Sequence, residues 1–322
     1  MSHLRVGSTT ITSVVEQTIG TLLAANLPQA TPQALRELRW LRPHYVNEHG
    51  QLQGVIQSLV IEHRGTLVVV DTCVGDDKDI AVVPELAHAR TGYLDRFDAA
   101  GFDVEAVNYV LNTHMHVDHV GWNTRLTGGR WQPTFPNARY LFTAQELTHW
   151  SAHAEKPVTD IEGAAPNSDE TRHARDFHQT QVDVHLQSIQ PILDAGLADI
   201  IDIPHVVARG FTLVPAPGHT PGHVMVDITS NGERILLSGD TFHHPCQIAH
   251  PEWDDLADTD LPAGVAARQQ ILADIADTST RLLGSHFSHP GFGTVTTDGD
   301  TYRFNAGDTP TTPHIHNHQE RQ

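Results

Sequence analysis

The sequence predicts an α+β sandwich, two facing mixed β-sheets with helices outside, and three observations carry that expectation. Strand-like apolar runs occupy residues 52–72 and recur up to the strand at 138–142, a second β half of short strand-like runs occupies 199–240, and stretches with helical spacing follow each half. Residues 1–305 are read as a single domain, because one unit of this size has ample chain to bury a core.

Residues 4–19 alternate polar and β-branched side chains and read as an opening strand. Residues 21–45 are an interrupted helical stretch. Thr31 and Pro32 supply an N-cap and a first-turn proline, and Leu35, Leu38 and Leu41 give an apolar face. This stretch is a candidate lid. GVIQSLVIEH and TLVVVDT form two strands joined at Arg64-Gly65. Residues 84–100 read as a helix, 138–142 as a strand, and Thr143 caps the helix begun by AQELTHW. The polar, Gly/Pro/Ala-rich region 151–190 is a candidate insertion whose histidines are expected at the surface. A helix near 177–194, another over 268–276 and a last strand at 281–285 complete the domain. The tail, 306–322, includes His314, His316 and His318, lacks apolar content and is expected to be disordered.

The chemistry concentrates in LNTHMHVDHVGW. His114, His116, Asp118 and His119 fall within six positions, directly after the β-rich run AVNYVLNT. In an extended chain His114, His116 and Asp118 share one side, and His119 needs the chain to turn, which puts the cluster at a strand end. A histidine pair two residues apart chelates one ion, and the Asp-His that follows can begin a second site.

Three later segments offer the remaining donors. FTLVPAPGHTPGHVMVDI presents His219 on a Pro/Gly turn between two strands. ERILLSGDTFHHP ends an apolar strand at Asp240, a carboxylate that is costly to bury without a cation partner. TRLLGSHFSHPGFG places His286 after a short strand and a small-residue break.

The set HMHVDH, PGHTPGH, SGD and GSH resembles the metallo-β-lactamase superfamily of binuclear metallohydrolases, over about 50 to 305 and in the family's order. The resemblance implies that His114, His116 and His219 hold a first metal, that Asp118, His119 and His286 hold a second, and that Asp240 bridges both. Asp at the bridging position resembles the lactonase, glyoxalase II and phosphotriesterase-like branches, whereas the best-known zinc β-lactamases commonly carry Cys there. Asp71 and His223 are expected to support the ligands from behind. The cofactors are expected to be two divalent ions, best matched by Zn²⁺, with Mn, Fe or Co also compatible with an N/O donor set. The reaction expected is attack of a metal-activated hydroxide on a neutral small ester or lactone, with Asp118 orienting the nucleophile. The same site would serve an organophosphate triester hydrolase or a hydrolytic dehalogenase. An iron-dependent oxidoreductase is the competing class, although its diiron branch favours Glu where His116 stands and carries a flavin domain.

Trp122, Phe242, His243, Phe287 and His289 are the candidate substrate-binding residues, with His244 and Phe292 nearby, because all lie within a few positions of a proposed ligand. Only Arg125 brings a basic side chain close in sequence, so no clamp for a strongly anionic substrate is evident. The chain carries 39 acidic and 20 basic residues, a formal charge of −19, which disfavours nucleic acid as a partner. Two cysteines far apart, Cys73 and Cys246, do not suggest a disulfide framework. With no signal-like or membrane-length apolar run, the protein is expected to be cytoplasmic and not to engage membranes. Its oligomeric state is open, a homodimer included.

Overall fold

A computed structural model describes residues 2–156 and 168–307. Among these, strands form two seven-stranded sheets and a small hairpin. The first sheet runs β1 (Ser2–Val6), β2 (Thr9–Thr18), β3 (Val55–His63), β4 (Thr66–Val70), β5 (Tyr109–Leu111), β8 (Arg139–Thr143) and β9 (Ala198–Ile201). The hairpin is β6 (Thr124–Thr127) with β7 (Arg130–Pro133). The second sheet runs β10 (His205–Ala208), β11 (Phe211–Pro215), β12 (Val224–Ser230), β13 (Glu233–Leu237), β14 (Arg281–Leu283), β15 (Phe292–Asp298) and β16 (Thr301–Ala306). Both sheets are mixed, with parallel pairs at β4–β5, β5–β8, β8–β9 and β13–β14.

Strand alternation explains the layering. Leu59 and Ile61 of β3, Val68 and Val70 of β4, Val226 and Ile228 of β12, and Ile235 and Leu237 of β13 share one buried cluster between the sheets. The residues between them, Val60, Val69 and Leu236, turn the other way into the cluster beneath the helices. Both faces of the central strands are therefore apolar, as buried parallel segments require.

Several elements differ from expectation. The opening stretch is a hairpin rather than one strand, since Gly7 turns the chain at φ +57° between β1 and β2. The helix expected over 84–100 is confined to Tyr93–Ala99, entered through Gly92 in a left-handed conformation. The second half of the 151–190 region is regular: Ser168 caps a helix over Asp169–Val184, continued by a π turn and Gln190–Asp194. Asp260 starts the late helix early, at Leu261–Ile275, by accepting from the Ala263 amide. The β15–β16 hairpin continues the second sheet beyond the strand expected last. The centre of the candidate insertion, 157–167, and the tail from 308 lie outside the described residues. Thr31 and Thr143 do cap their helices, accepting from the Ala34 and Glu146 amides. No helix among the described residues is long and apolar enough to cross a membrane.

The topology gathers one set of loops at one edge of the sandwich. β4 and β5 are parallel, so Asp71 and the 112–119 segment leave the first sheet together. β13 and β14 are parallel, so Asp240 and the His286 loop leave the second sheet together. β12 is antiparallel to β13, which brings the loop holding His219 to the same edge. A bridge between Gly54 and Phe287 then ties the two sheets beside it.

Candidate functional site

The 112–119 segment leaves β5 as a loop and turns into one helical turn, Val117–Val120, with His116 at its N-cap. That turn is what brings His119 back toward His114, whose rings lie 4.0 Å apart between centroids. Asn112 Nδ2 and the Thr72 amide both donate to the His119 carbonyl, at 2.7 Å each, and fix the turn. In the His219 loop, Gly218 adopts φ +138°, and a Cβ there would lie 2.4 Å from the Gly264 amide nitrogen. Gly239, at φ +52°, lets the chain pass His223 so closely that a Cβ would sit 2.4 Å from its Nε2.

The seven expected ligands meet. His114, His116 and His219 form one group of converging donor atoms; Asp118, His119 and His286 form another. Asp240 lies between them, with Oδ2 at 3.1 Å from Nε2 of both His119 and His286, 3.6 Å from His219 and 3.8 Å from His114. Asp118 is the more open carboxylate, 3.7 Å from His119 Nε2 and 3.5 Å from His286 Nε2.

Charge and burial fit this set to divalent cations. His219 Nε2 lies 3.0 Å from His114 Nε2 and 2.9 Å from His116 Nδ1, a convergence that a single shared proton cannot satisfy. Nitrogens bound to one zinc at about 2.0–2.1 Å stand roughly 3 Å apart, so an ion fits where a hydrogen bond does not. His119 Nε2 and Asp240 Oδ1 are buried and make no hydrogen bond. Burial pushes His114 and His219 well below the ordinary imidazole pKa, and neighbouring imidazoles add to it. His116 is lowered to about 4, again by burial, with Asp118 opposing. These rings are neutral, as metal ligation requires. For Asp240 burial favours the acid, but His119, His286 and His243 outweigh it and hold the carboxyl well below its usual range.

Partners behind the ligands fix their aim. His119 Nδ1 lies 2.9 Å from Asp71 Oδ2, and Asp71 also accepts from Thr113. His219 Nδ1 faces Asp258 at 3.3 Å, which is paired with the buried Arg268 guanidinium at 3.0 Å. His286 Nδ1 is 2.9 Å from the Val55 carbonyl oxygen. His223 is buried below the cluster, where its Nε2 accepts from the Asp240 amide at 3.0 Å. Asp71 thus lies behind His119, and His223 lies against the Asp240 amide.

Glu146 was not singled out in the sequence, and it is the centre of this scaffold. It is fully buried; Oε1 accepts from the Met115 amide at 2.9 Å and Trp150 Nε1 at 2.6 Å. Oε2 accepts from Thr220 Oγ1 at 2.9 Å and the Gly222 amide at 3.0 Å. One carboxylate therefore clamps the residue between His114 and His116 to the two residues that flank the turn after His219. Burial raises its pKa despite these four donors. Glu146→Gln puts an NH₂ group against two donors, and we expect metal affinity at the first cluster to fall on the order of 10–100-fold. Chelator competition measures this; an unchanged affinity contradicts the clamp.

The cluster lies at the floor of a cavity of about 610 Å³. Its wall is mostly apolar: Leu22 and Leu23, Val82 and Val83, Val117, Phe177 and Leu256 contribute. The first helix of the 21–45 stretch, Gly20–Asn26, forms one side through Leu22, Leu23, Ala25 and Asn26. His149, Trp150 and His153 of the Ala144–Ala154 helix form another, facing His173 and Phe177 of the Asp169–Val184 helix. His153 is therefore a half-buried cavity residue rather than a surface one, whereas His173 borders the cavity and stays exposed, as expected. No Arg or Lys among the described residues lines this cavity.

The expected substrate-binding set needs correction, because only His243 of its five members reaches the cavity. Trp122 is buried under the first sheet, stacked on Tyr93 and donating to Glu16 at 2.7 Å. Phe242 is a core residue, and Phe287 packs edge-on against Tyr45 and Phe304. His289 and Phe292 line a separate, smaller cavity of about 220 Å³ with Phe287. His244 turns to the Tyr45 carbonyl at 2.8 Å. For Phe287 the physical reason is that successive side chains diverge, so the residue after His286 points away from it. Phe242 follows the turn Gly239–Thr241, which breaks any alternation with Asp240 and leaves it in the core.

Comparison with known proteins places this geometry in a family. A family model, the metallo-beta-lactamase superfamily, matches residues 53–286. Two proteins described as "probable metallo-hydrolase", from Mycobacterium tuberculosis and Mycobacterium bovis, are 28% identical over 195 residues. The match covers 58% of this chain and 56% of each relative, so it spans about half the length of those proteins. Among solved structures, AidC, a dizinc quorum-quenching lactonase in complex with the product N-hexanoyl-L-homoserine, superposes with TM-score 0.75 at 22% identity, covering 95% of this chain and 97% of AidC. The hydrolase AbOPH of the beta lactamase superfamily gives the same values. A protein described as a "probable metal-dependent hydrolase", from Staphylococcus aureus, gives TM-score 0.66 at 15% identity, covering 94% of this chain and 99% of that one. At these identities the structures establish the fold.

Proposed function

The chain belongs to the metallo-beta-lactamase superfamily, and on that premise we propose that it is a two-metal hydrolase of neutral lactones or small esters. The observation that carries this reading is the donor set itself, two converging groups sharing Asp240 at the floor of an apolar cavity. His114, His116 and His219 would hold one ion and Asp118, His119 and His286 the other, with zinc the best match to imidazole and carboxylate donors. When bound, such a pair polarises the substrate carbonyl and supplies a water acidified toward neutral pKa.

The chain's own residues do the rest. Asp240, ionised by its imidazole surroundings, holds the centre together. Asp118 is the carboxylate with a free side toward the cavity, and its oxygens are positioned to take the proton of the attacking water. As the carbonyl carbon–oxygen bond to the alkoxide breaks, the same carboxyl returns that proton to the leaving oxygen. Leu22, Leu23, Val83 and Phe177 would shelter an apolar acyl arm, and the N-hexanoyl-L-homoserine product bound by the lactonase AidC, a structural neighbour, supports such a substrate.

Among the described residues no Arg or Lys lines the cavity, which argues for uncharged substrates, since an anion would meet no guanidinium or ammonium clamp there. A panel of acyl lactones of increasing chain length, aryl esters, a phosphotriester and a phosphodiester tests this. Lactones and esters should exceed the phosphodiester in kcat/KM by at least about tenfold, the effect of roughly 1.4 kcal/mol. Efficiency should rise with acyl length. Strong phosphodiester or phosphotriester turnover with no lactone or ester hydrolysis overturns the proposal.

A further inference from the structure

One imidazole outside the expected ligand set is aimed at the same carboxylate. His243 is buried, and its Nε2 lies 3.1 Å from Asp240 Oδ2, the distance found for His119 and His286. His219, Asp240 and His243 together form a compact donor group. The local fold explains the aim. Asp240 sits in the turn Gly239–Thr241, the chain is extended at Phe242, and the Gln247 side chain then accepts from the His243 and His244 amides and holds the residue at this place beside Asp240. The His243 ring lies parallel to that of His286, 5.4 Å away at 8°.

A buried carboxylate also stands behind His243, in ion-pair contact with it rather than in an aligned hydrogen bond. His243 Nδ1 is 2.6 Å from Asp255 Oδ2. Asp255 is fully buried and accepts from Gln247 Nε2 at 2.9 Å, while Gln247 Oε1 accepts from the His243 amide at 2.7 Å. His119 and His219 are backed by Asp71 and Asp258. A carboxylate on Nδ1 fixes the tautomer and directs the Nε2 lone pair forward. That lone pair then faces a carboxylate oxygen, and a cation between them converts repulsion into attraction.

We propose that His243 is an eighth protein donor, binding through Nε2 the ion held by His114, His116 and His219, with Asp255 as its positioning residue. This inference rests on the two-metal reading. It makes the centre asymmetric: four imidazoles serve the first ion, against two imidazoles and Asp118 for the second. The first ion is then the harder to remove, and the second is the more open to substrate oxygen.

The test uses the full chain stripped of metal and reloaded with Zn²⁺ or Co²⁺. Chelator competition gives the affinity of each ion, and the Co²⁺ ligand-field spectrum reports donor number, neither depending on turnover. His243→Ala should still take up two ions, with one held about 10–100-fold more weakly and with a stronger visible Co²⁺ band from the lost donor. Asp255→Asn, which keeps the imidazole but loosens it, should shift the same ion by less. Wild-type affinities and an unchanged Co²⁺ spectrum in His243→Ala overturn the proposal, whatever happens to the rate. Should that variant not fold, unchanged affinity and spectrum in Asp255→Asn overturn it. A wild-type protein that takes up no ion removes the two-metal reading and this inference together.

Discussion

Asp240→Ala is expected to lower kcat by at least about 10³-fold, on the order of 4 kcal/mol of lost transition-state stabilisation. At least one ion should be lost with it. The reason is charge arithmetic. Asp240 Oδ2 is within 3.1 Å of three imidazole nitrogens and within 3.8 Å of two more. Two divalent ions about 3.5–4 Å apart repel strongly, and a shared carboxylate between them offsets that repulsion. Among the described residues no other acid is placed to replace it: Asp71, Asp258 and Asp255 are turned to His119, His219 and His243 from behind, and Asp118 belongs to the second group. Packing should suffer little. Metal content by elemental analysis and steady-state kinetics of the same preparation check this, and a variant with two ions and near-normal turnover contradicts it.

Asp118→Asn is expected to cost on the order of 10²-fold in kcat, the usual scale for a lost proton-transfer group. The two effects separate because Asn keeps the volume and one acceptor oxygen, so an ion can remain near His119 and His286. Asp118 is also the acid with the most exposed side chain in the cluster, which leaves one oxygen free for water. Kinetics on the metal-replete variant measure the chemical role. Turnover within a few-fold of wild type, with both ions bound, would falsify a proton-transfer role for Asp118.

The proposed ligands were legible in the sequence because each follows a strand, and strand ends are where this architecture gathers its loops. His114 to His119 after β5, Asp240 after β13 and His286 after β14 could be placed from apolar runs and the breaks that end them. The Pro/Gly turn carrying His219 was legible for the same reason. The cavity wall was not, since proximity in sequence to a ligand predicts little about side-chain direction. Phe287 directly follows His286 and Phe242 lies two residues after Asp240, and both point into the core. The signal that would have found the wall is helical spacing. Ile19, Leu22, Leu23 and Asn26, and again His173, Phe177, Thr180 and Gln181, recur at three and four residues and share a face toward the cavity. Composition misled for the second group, because a polar helix whose one inward face is mixed His and Phe reads as surface. Glu146 escaped notice because nothing in QELTHW distinguishes a buried acceptor of four hydrogen bonds from an exposed helix glutamate. The β6–β7 hairpin escaped because its strands alternate weakly and stay half exposed.

The central claim is that two ions, held by these residues, are both needed to hydrolyse a neutral ester bond. Its most direct test is stepwise reconstitution of the metal-free chain with Zn²⁺, following lactone hydrolysis against bound metal. The account predicts little activity at one equivalent, a rise to full activity at the second and no further gain beyond it. Full activity at one equivalent, or no lactone or ester hydrolysis with two ions bound, contradicts it.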